Sequence, residues 1–430
     1  MPNAALSFSE GSILVHNASL RSLLREAYSA QQIHDIRALL VEKGTLEFPV
    51  FENGLFPAAA LDAPSGATAP YRFVWLRDNV YIAYSHYVNG QVESAVKNVR
   101  TLAAYFMKHR QRFTDVITGT SDAADPMQRP HVRFEGTRLE EVDQKWAHAQ
   151  NDALGYFLWL LCKLAAEGAM TLDEPLRALI DLFVKYFSAV SFWEDEDSGH
   201  WEEVRKINAS SIGVVTGALR ELTRLTGVVS DERRVNELCE RGEGALRTIL
   251  PAECTQADPK QSRPYDAALL FLIYPMDVVD RQSADAIIAN VVTHLRREIG
   301  VCRYLGDSYW AADYKSHFHT GDDRTRDFSD DMAARDSILR PGQEAQWCIF
   351  DPILSAIHGA RYRQSGDASD LRRQTFYLNR SLAHITEDFR CPELYYLEGG
   401  QYVTGDHVPL LWTQANLWVA LSHLEHAVRT

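Results

Sequence analysis

Apolar residues recur along most of the chain at the three- and four-residue spacing that is typical of amphipathic helices. One such stripe runs from Val92 to Phe106, and another runs from Leu176 to Phe187. Convincing alternation with a period of two, which half-buried strands require, is scarce. The spacing therefore predicts about eleven helices. They are expected near 20–43, 78–88, 92–106, 150–167, 176–187, 209–225, 232–250, 283–299, 345–362, 368–387 and 408–428.

The predicted helices are of two kinds. The segment 150–167 is apolar nearly all round, which is typical of a helix buried on every side, whereas others carry a distinct polar face. Alternation of the two kinds predicts an all-α toroid with an inner and an outer ring of helices. No Pro-, Gly- or Ser-rich linker interrupts the chain, so we expect a single domain over 1–430, with 1–70 as an N-terminal extension that packs on the toroid.

One long segment departs from this periodicity. Residues 313–343 are polar and charged and show no apolar stripe. Long irregular insertions in compact domains are usually functional or disordered. Two interpretations stay open for this segment: a solvated loop, or a loop that covers an active site.

The net charge of the chain limits the classes of partner that it can bind. The 430-residue chain has 44 lysines and arginines against 58 aspartates and glutamates, a formal net charge of -14. Nucleic acids and anionic membranes bind basic surfaces, so neither is expected as a partner, and a neutral substrate fits better. The longest apolar run, 153–166, is interrupted by Lys163 and falls short of the roughly 20 residues that span a bilayer. The N-terminus lacks the pattern of a signal peptide.

The six cysteines form no CxxC pair, and no metal-ligand spacing such as HExxH occurs. We therefore expect reduced, mostly buried thiols, a cytoplasmic location, and neither a metal nor a cofactor. The oligomeric state is left undetermined by the sequence.

Aromatic residues, carboxylates and arginines cluster in five segments. They are 74–79 (VWLRDN), 146–153 (WAHAQNDA), 199–204 (GHWEEV) with 208–211, 303–310 (RYLGDSYW) with 344–347 (EAQW), and 392–396 (PELYY) with 406–414. Sugar rings pack their C–H faces on aromatic rings, and their hydroxyls pair with carboxylates, amides and arginine. Cleavage of a glycosidic bond also needs two carboxyl groups. One such pair alone is ordinarily structural, but five clusters together favour a carbohydrate site.

The ordered motifs VWLRD, WAHAQNDA, GHWEEV…NASSIG, RYLGDSYW…EAQW and PELYY…LLWTQANL resemble glycoside hydrolase family 15, the glucoamylase family. They are most similar to the branch that includes isomaltose glucohydrolase-type enzymes and the glucoamylase-like domain of phosphorylase kinase α and β subunits. The resemblance extends from about residue 70 to 428. It implies an (α/α)6 barrel and an inverting, exo-acting hydrolase that releases β-glucose from a non-reducing end.

The resemblance also implies residue roles. It places the general acid at Glu202 and the general base at Glu393. Glu344, which lies two residues before Gln346 in another of the five segments, is the competing candidate for the base. The adjacent Glu203 and nearby rings are expected to raise the pKa of Glu202. Arg77 and Asp78 correspond to the pair that grips the terminal glucose. The further sugar contacts are predicted at Trp75, Trp146, His148, Glu203, Arg303, Tyr304, Asp307, Glu344 and Trp347.

Several functions stay open at this point. Because no starch-binding or β-sandwich module is visible, we expect short α-glucosides as substrates, isomaltose-like disaccharides first and malto-oligosaccharides second. A trehalase is an alternative. So is a non-catalytic or regulatory carbohydrate-binding protein resembling the phosphorylase kinase subunits. A lyase or epimerase, with His148, His200 or His407 as its base, is the third hypothesis.

Overall fold

The computed structural model describes residues 5–59 and 70–429. Its α-helices, in chain order, are α1 Ala18–Arg21, α2 Ala30–Glu42, α3 Leu76–Val88, α4 Val92–Lys108, α5 Gln111–Thr118, α6 Asn151–Ala166, α7 Glu174–Ala189, α8 Ala209–Leu222, α9 Glu232–Ile249, α10 Leu270–Ile273, α11 Arg281–Asn290, α12 Tyr314–His317, α13 Gly321–Arg324, α14 Ala333–Asp336, α15 Phe350–Ser365, α16 Ala368–Ala383 and α17 Leu411–Arg429. A π-helical turn, Val291–Leu295, extends α11.

Six helices form a closed inner ring in the order α3, α6, α8, α10, α15 and α17, and α17 packs back against α3. An outer helix follows or precedes each inner one along the chain. These outer helices are α2, α4, α7, α9, α11 and α16. The predicted all-α toroid is therefore confirmed as an (α/α)6 barrel.

The two kinds of helix differ in burial as their sequences require. On the inner helix α6, residues pointing in different directions, such as Tyr156, Phe157 and Leu158, are all buried. Gly155 lets α6 approach α8 closely, because a Cβ there would lie 3.1 Å from the backbone nitrogen of Val215. The outer helix α4 instead buries one stripe and exposes Lys97 on the opposite face.

Two differences from the predicted helices have clear causes. The inner helix α10 has only four residues, preceded by a 3-10 turn, Ala267–Leu269, and prolines at 264 and 275 bracket the apolar segment. A short segment buried on all sides shows no amphipathic period, so sequence periodicity misses it. The helix predicted from residue 20 begins at Ala30, because Ser29 and Gln32 form a capping box there.

The segment 1–70 supplies α2, which packs on α17 and takes the sixth place in the outer ring. Within that segment, residues 1–4 and 60–69 lie outside the described part of the chain.

Short antiparallel strands connect the loops at the end of the barrel where the inner helices begin. They are β1 Leu6–Phe8, β2 Gly11–Ile13, β3 Val74–Trp75, β4 Arg133–Glu135, β5 Glu140–Glu141, β6 Cys254–Thr255, β7 Ser262–Arg263, β8 Gln346–Trp347, β9 Leu394–Glu398 and β10 Gln401–Thr404. The β3–β4 pair sets Trp75 opposite Arg133, and the β8–β9 pair sets Trp347 opposite Leu394. These pairings hold motif residues from distant parts of the sequence side by side.

All six cysteines are unpaired and buried. Over 5–59 and 70–429, no helix is both long and apolar enough to cross a membrane. The same residues contain no group of three or more His, Cys, Asp or Glu side chains arranged to hold a metal ion. The cytoplasmic location stays a prediction.

Candidate active site

A cavity of about 780 Å³ opens at the end of the barrel where the inner helices begin. Arg77 and Asp78 reach it from the start of α3, and Trp412 from the start of α17. The predicted site residues that line it are Trp75, Arg77, Asp78, Trp146, Glu202, Arg303, Trp347 and Glu393. The predicted site residues that lie outside its walls are His148, Glu203, Tyr304, Asp307 and Glu344.

Glu202 follows the 3-10 turn Gly199–Trp201 and has a left-handed backbone, with φ of 58°. Its side chain is 19% exposed, so a molecule in the cavity has access to it. Oε1 accepts hydrogen bonds from Trp75 Nε1 and Gln150 Nε2, both at 3.2 Å. Burial raises the pKa of Glu202, although the guanidinium of Arg77, 3.5 Å away, opposes that shift. The direction of this shift is the one that a proton donor needs.

Glu393 lies immediately before β9, and each of its carboxylate oxygens has a partner. Tyr71 donates its hydroxyl to Oε1 at 3.1 Å, and Nδ1 of His407 lies 2.8 Å from Oε2. The imidazole stacks on the Tyr71 ring with 3.3 Å between ring centroids, and it is fully buried. These contacts hold both oxygens of Glu393 in a fixed orientation at the cavity wall.

Arg77 and Asp78 are adjacent in sequence but have different surroundings. The guanidinium of Arg77 is held by Asp152, at 2.7 Å from Nη1 to Oδ2, in a pair that is almost completely buried. Asp78 has no hydrogen bond or ion pair from another described side chain, and it faces the cavity. Burial raises the pKa of Asp78 to about 7; Arg77 opposes this shift, and the nearby Glu202 and Glu393 add to it.

Asp78→Asn should increase the stability of the protein in a pH-dependent way. A carboxyl with a pKa of about 7 when folded and about 3.9 when unfolded binds more protons in the folded state between these values. The free energy of unfolding therefore falls as pH rises through that window. An asparagine does not titrate, so the variant avoids this decrease in the free energy of unfolding. It should be more stable than the parent at pH 8, by at most about 4 kcal/mol, and equally stable at pH 4. Denaturant titrations at both pH values measure the difference.

Asp152→Asn is the matched control, because it breaks the buried pair with Arg77 and should destabilise by about 3–5 kcal/mol. A lower stability of Asp78→Asn at pH 8 would contradict the assignment of Asp78 as a buried, cavity-facing carboxyl group with a raised pKa.

Glu203 points away from the cavity into a cluster of cations. It accepts hydrogen bonds from Arg335 at 2.6 Å, from the Tyr304 hydroxyl at 2.8 Å, from Arg263 at 3.1 Å and from Arg303 at 3.2 Å. Burial alone would raise the pKa of Glu203, but these guanidiniums hold it well below the usual range. Glu203 is thus an ionised anchor, and two of its partners, Arg303 and Arg335, line the cavity.

The other predicted residues outside the cavity wall contact neighbouring residues instead of the cavity. Asp307 holds Arg303 with two contacts, at 2.6 and 2.7 Å. Glu344 accepts a hydrogen bond from the backbone nitrogen of Gly306 at 3.0 Å. His148 stacks on His131, with 3.7 Å between ring centroids, and burial lowers its pKa well below the usual value.

Aromatic rings form much of the wall. Trp75 and Trp146 meet edge to face with 5.8 Å between centroids, and the guanidinium of Arg133 lies 3.9 Å from the Trp146 ring. On another side, Trp347 lies 6.0 Å from Trp201. These rings offer apolar faces of the kind on which sugars pack.

The segment 313–343 contributes to the same cavity. It contains α12, α13 and α14, and its residues 325–328 and Arg335 line the wall. Arg324 anchors the segment to Asp406, at 2.6 Å.

Sequence reasoning assigned no role to several cavity residues. Tyr71 precedes the VWLRD motif, and Arg335 lies in the polar segment, so neither carried a signal. The motif LLWTQANL contains Trp412 but indicates no role for it, and the sequence suggests His407 only as the base of a lyase or epimerase.

The family model for glycosyl hydrolases family 15 matches residues 45–335. Among curated proteins, the chain is 26% identical over 394 residues to the probable phosphorylase b kinase regulatory subunit alpha of Caenorhabditis elegans, covering 79% of this chain and 30% of that protein. It is 26% identical over 269 residues to the liver isoform of phosphorylase b kinase regulatory subunit alpha from Mus musculus, covering 55% of this chain and 21% of that protein. The chain thus spans less than a third of the length of these relatives.

Solved structures share the fold. A wild-type glycosidase superposes with a TM-score of 0.67 at 19% identity, covering 93% of this chain and 99% of the other. A variant glycosidase in complex with glucose gives 0.66 at 18% identity, with the same coverage. The glucoamylase of Saccharomycopsis fibuligera gives 0.59 at 12% identity, covering 95% and 97%. Together with the family match over 45–335, the barrel and its motif-lined cavity lead to one conclusion: the chain belongs to glycosyl hydrolases family 15.

Proposed function

We propose that the chain is an inverting, exo-acting hydrolase that releases β-glucose from the non-reducing end of short α-glucosides. The observation that carries this proposal is a pair of carboxyl groups, Glu202 and Glu393, that line one cavity with different partners. Burial raises the pKa of Glu202, whereas Tyr71 and His407 hold the two oxygens of Glu393.

In the proposed reaction, Glu202 donates its proton to the glycosidic oxygen, and Glu393 accepts a proton from the water that attacks the anomeric carbon. Inversion needs the two carboxyls about 6.5–9.5 Å apart, so that a water fits between them. The two groups have separate donors: Trp75 for Glu202, and Tyr71 for Glu393.

The cavity wall supports a single terminal sugar as the bound unit. Asp78 presents to sugar hydroxyls a carboxyl group that no other described side chain pairs with, and Arg303 presents a guanidinium that Glu203 and Asp307 hold in place. Trp347 provides a ring beside them.

We also propose that the segment 313–343 covers the active site and limits substrate length. Its residues 325–328 form part of the wall, and Arg335 fixes it to the buried Glu203 at 2.6 Å. A wall of this kind excludes long chains by steric clash, which discriminates more strongly than a loss of attractive contacts.

A substrate panel tests linkage, length and stereochemistry together. We expect kcat/KM for isomaltose to exceed that for maltoheptaose at least about tenfold, because the 325–328 wall would clash with a longer chain. Proton NMR time courses on maltose, isomaltose, kojibiose, nigerose and trehalose would identify the linkage that is cut, and β-glucose should appear first. Preference for maltoheptaose would contradict the short-substrate proposal, and initial α-glucose would contradict inversion.

A second candidate is a non-catalytic carbohydrate-binding protein. The observation in its favour is the similarity to phosphorylase b kinase regulatory subunits. The paired carboxyls in one cavity argue against it, since binding alone needs no proton donor and acceptor. Saturable binding of isomaltose without any hydrolysis over days would favour this second candidate.

A further inference from the structure

A second cavity, of about 730 Å³, lies on the far side of the Glu203 cluster from the active site. Tyr304 and Arg263 form the part of its wall nearest Glu203, to which both donate hydrogen bonds. The side chains of its wall that matter here are Lys206, Lys260, Ser262, Arg263, Tyr265 and Asp336. The proposed hydrolysis uses none of them.

Lys206 on this wall is a buried cation with little compensation. It is 2% exposed, and its ammonium makes one described hydrogen bond, to the carbonyl oxygen of Val204 at 2.9 Å. No carboxylate among the described residues lies within 4.0 Å of its nitrogen. A buried charge is costly unless it is paired, and an ammonium has three donors to satisfy. Burial and the neighbouring Arg263 accordingly lower the pKa of Lys206.

The cluster around Lys206 is rich in basic side chains. Its cations are Lys206, Arg263, Arg303 and Arg335. The carboxylates that pair with the three arginines are Glu203, Asp266 and Asp307. Among these cations, Lys206 is the one with no carboxylate of the described residues within 4.0 Å of its nitrogen.

We propose that this second cavity binds the phosphate group of a small phosphorylated metabolite. Lys206 and Lys260 supply point charges, and Ser262 supplies a hydroxyl donor to the phosphate oxygens. The ring of Tyr265, itself stacked on His294 at 3.9 Å, offers an apolar face to an attached sugar. Asp336 is the one carboxylate on the described wall, and it accepts a hydrogen bond from Ser308 at 2.6 Å.

Isothermal titration of the full chain with inorganic phosphate and with glucose 6-phosphate tests this proposal, at constant ionic strength set with NaCl. We expect saturable binding, and Lys206→Met should weaken it at least about tenfold, because the methionine keeps the volume and removes the charge. Ser262→Glu should abolish binding by placing an anion on the exposed wall without changing the buried cluster. Lys43→Met, at an exposed lysine elsewhere, is the matched control and should bind as the parent does.

Tighter binding of glucose 6-phosphate than of phosphate would identify a sugar phosphate as the ligand, and equal binding would identify free phosphate. If neither ligand binds saturably at concentrations up to about 10 mM, which would detect even a weak site, the proposal is overturned. So would unchanged binding in Lys206→Met and Ser262→Glu. If Lys206→Met does not fold, Ser262→Glu decides alone. These readouts use no hydrolysis, so they stand apart from the proposed activity.

Discussion

Glu202→Gln should lower kcat on isomaltose by roughly 10²–10⁴-fold, which is the usual contribution of a general acid. The amide keeps the shape of the side chain and its contacts with Trp75 and Gln150, but it has no proton to give. Steady-state kinetics with a matched thermal melt measure the effect and show that the variant is folded. The exposed Glu194→Gln is the control and should leave kcat unchanged.

A substrate with a good leaving group separates acid catalysis from other roles. On α-glucosyl fluoride, whose leaving group needs little protonation, Glu202→Gln should recover most of the parent rate. The parent should also lose activity on isomaltose as pH rises through the raised pKa of Glu202, because the acid must be protonated to act. Near-normal kcat on isomaltose in Glu202→Gln would refute the assignment. Glu203 would be a poor replacement, since its carboxylate lies outside the cavity and is enclosed by guanidiniums.

The environments of Glu202 and Glu203 show what sequence could not determine. Both belong to one WEE motif, and sequence reasoning expected Glu203 to raise the pKa of its neighbour. The left-handed backbone at Glu202 sends the two side chains in different directions, one into the cavity and one into the cation cluster. Burial is the largest cause of the raised pKa of Glu202. Backbone dihedral angles of this kind are not encoded in composition or spacing.

The helical ring, in contrast, was predictable because helices are encoded in the local pattern of apolar residues. Outer helices such as α4 show a clear apolar stripe, and long inner helices such as α6 are apolar throughout, so local pattern alone identified them. The family motifs located the helix starts that point at the cavity. Tyr71 and Arg335 come from segments without periodicity, and only the folded chain brings them to the site. Their roles depend on long-range contacts, which a single sequence does not report.

Glu393→Ala should be nearly inactive on isomaltose and should regain activity with azide, because removal of a general base leaves a site that can still protonate the leaving group. In an inverting enzyme, azide takes the place of the activated water, so the expected product is β-glucosyl azide. Proton NMR of the product and initial rates with and without azide measure both effects. The cavity that this change leaves lies between Tyr71 and His407, whose hydrogen bonds to the carboxylate are lost.

Glu344→Ala is the decisive comparison, since Glu344 is the competing candidate for the base. Its side chain lies outside the cavity wall and accepts a hydrogen bond from the backbone of Gly306, so truncation should affect stability more than kcat. An inactive Glu344→Ala that azide rescues, beside an active Glu393→Ala, would transfer the role of base to Glu344. If neither change affects hydrolysis, no base acts at either position; if the parent itself binds isomaltose without hydrolysing it, the regulatory, carbohydrate-binding hypothesis becomes the better account of the paired carboxyls.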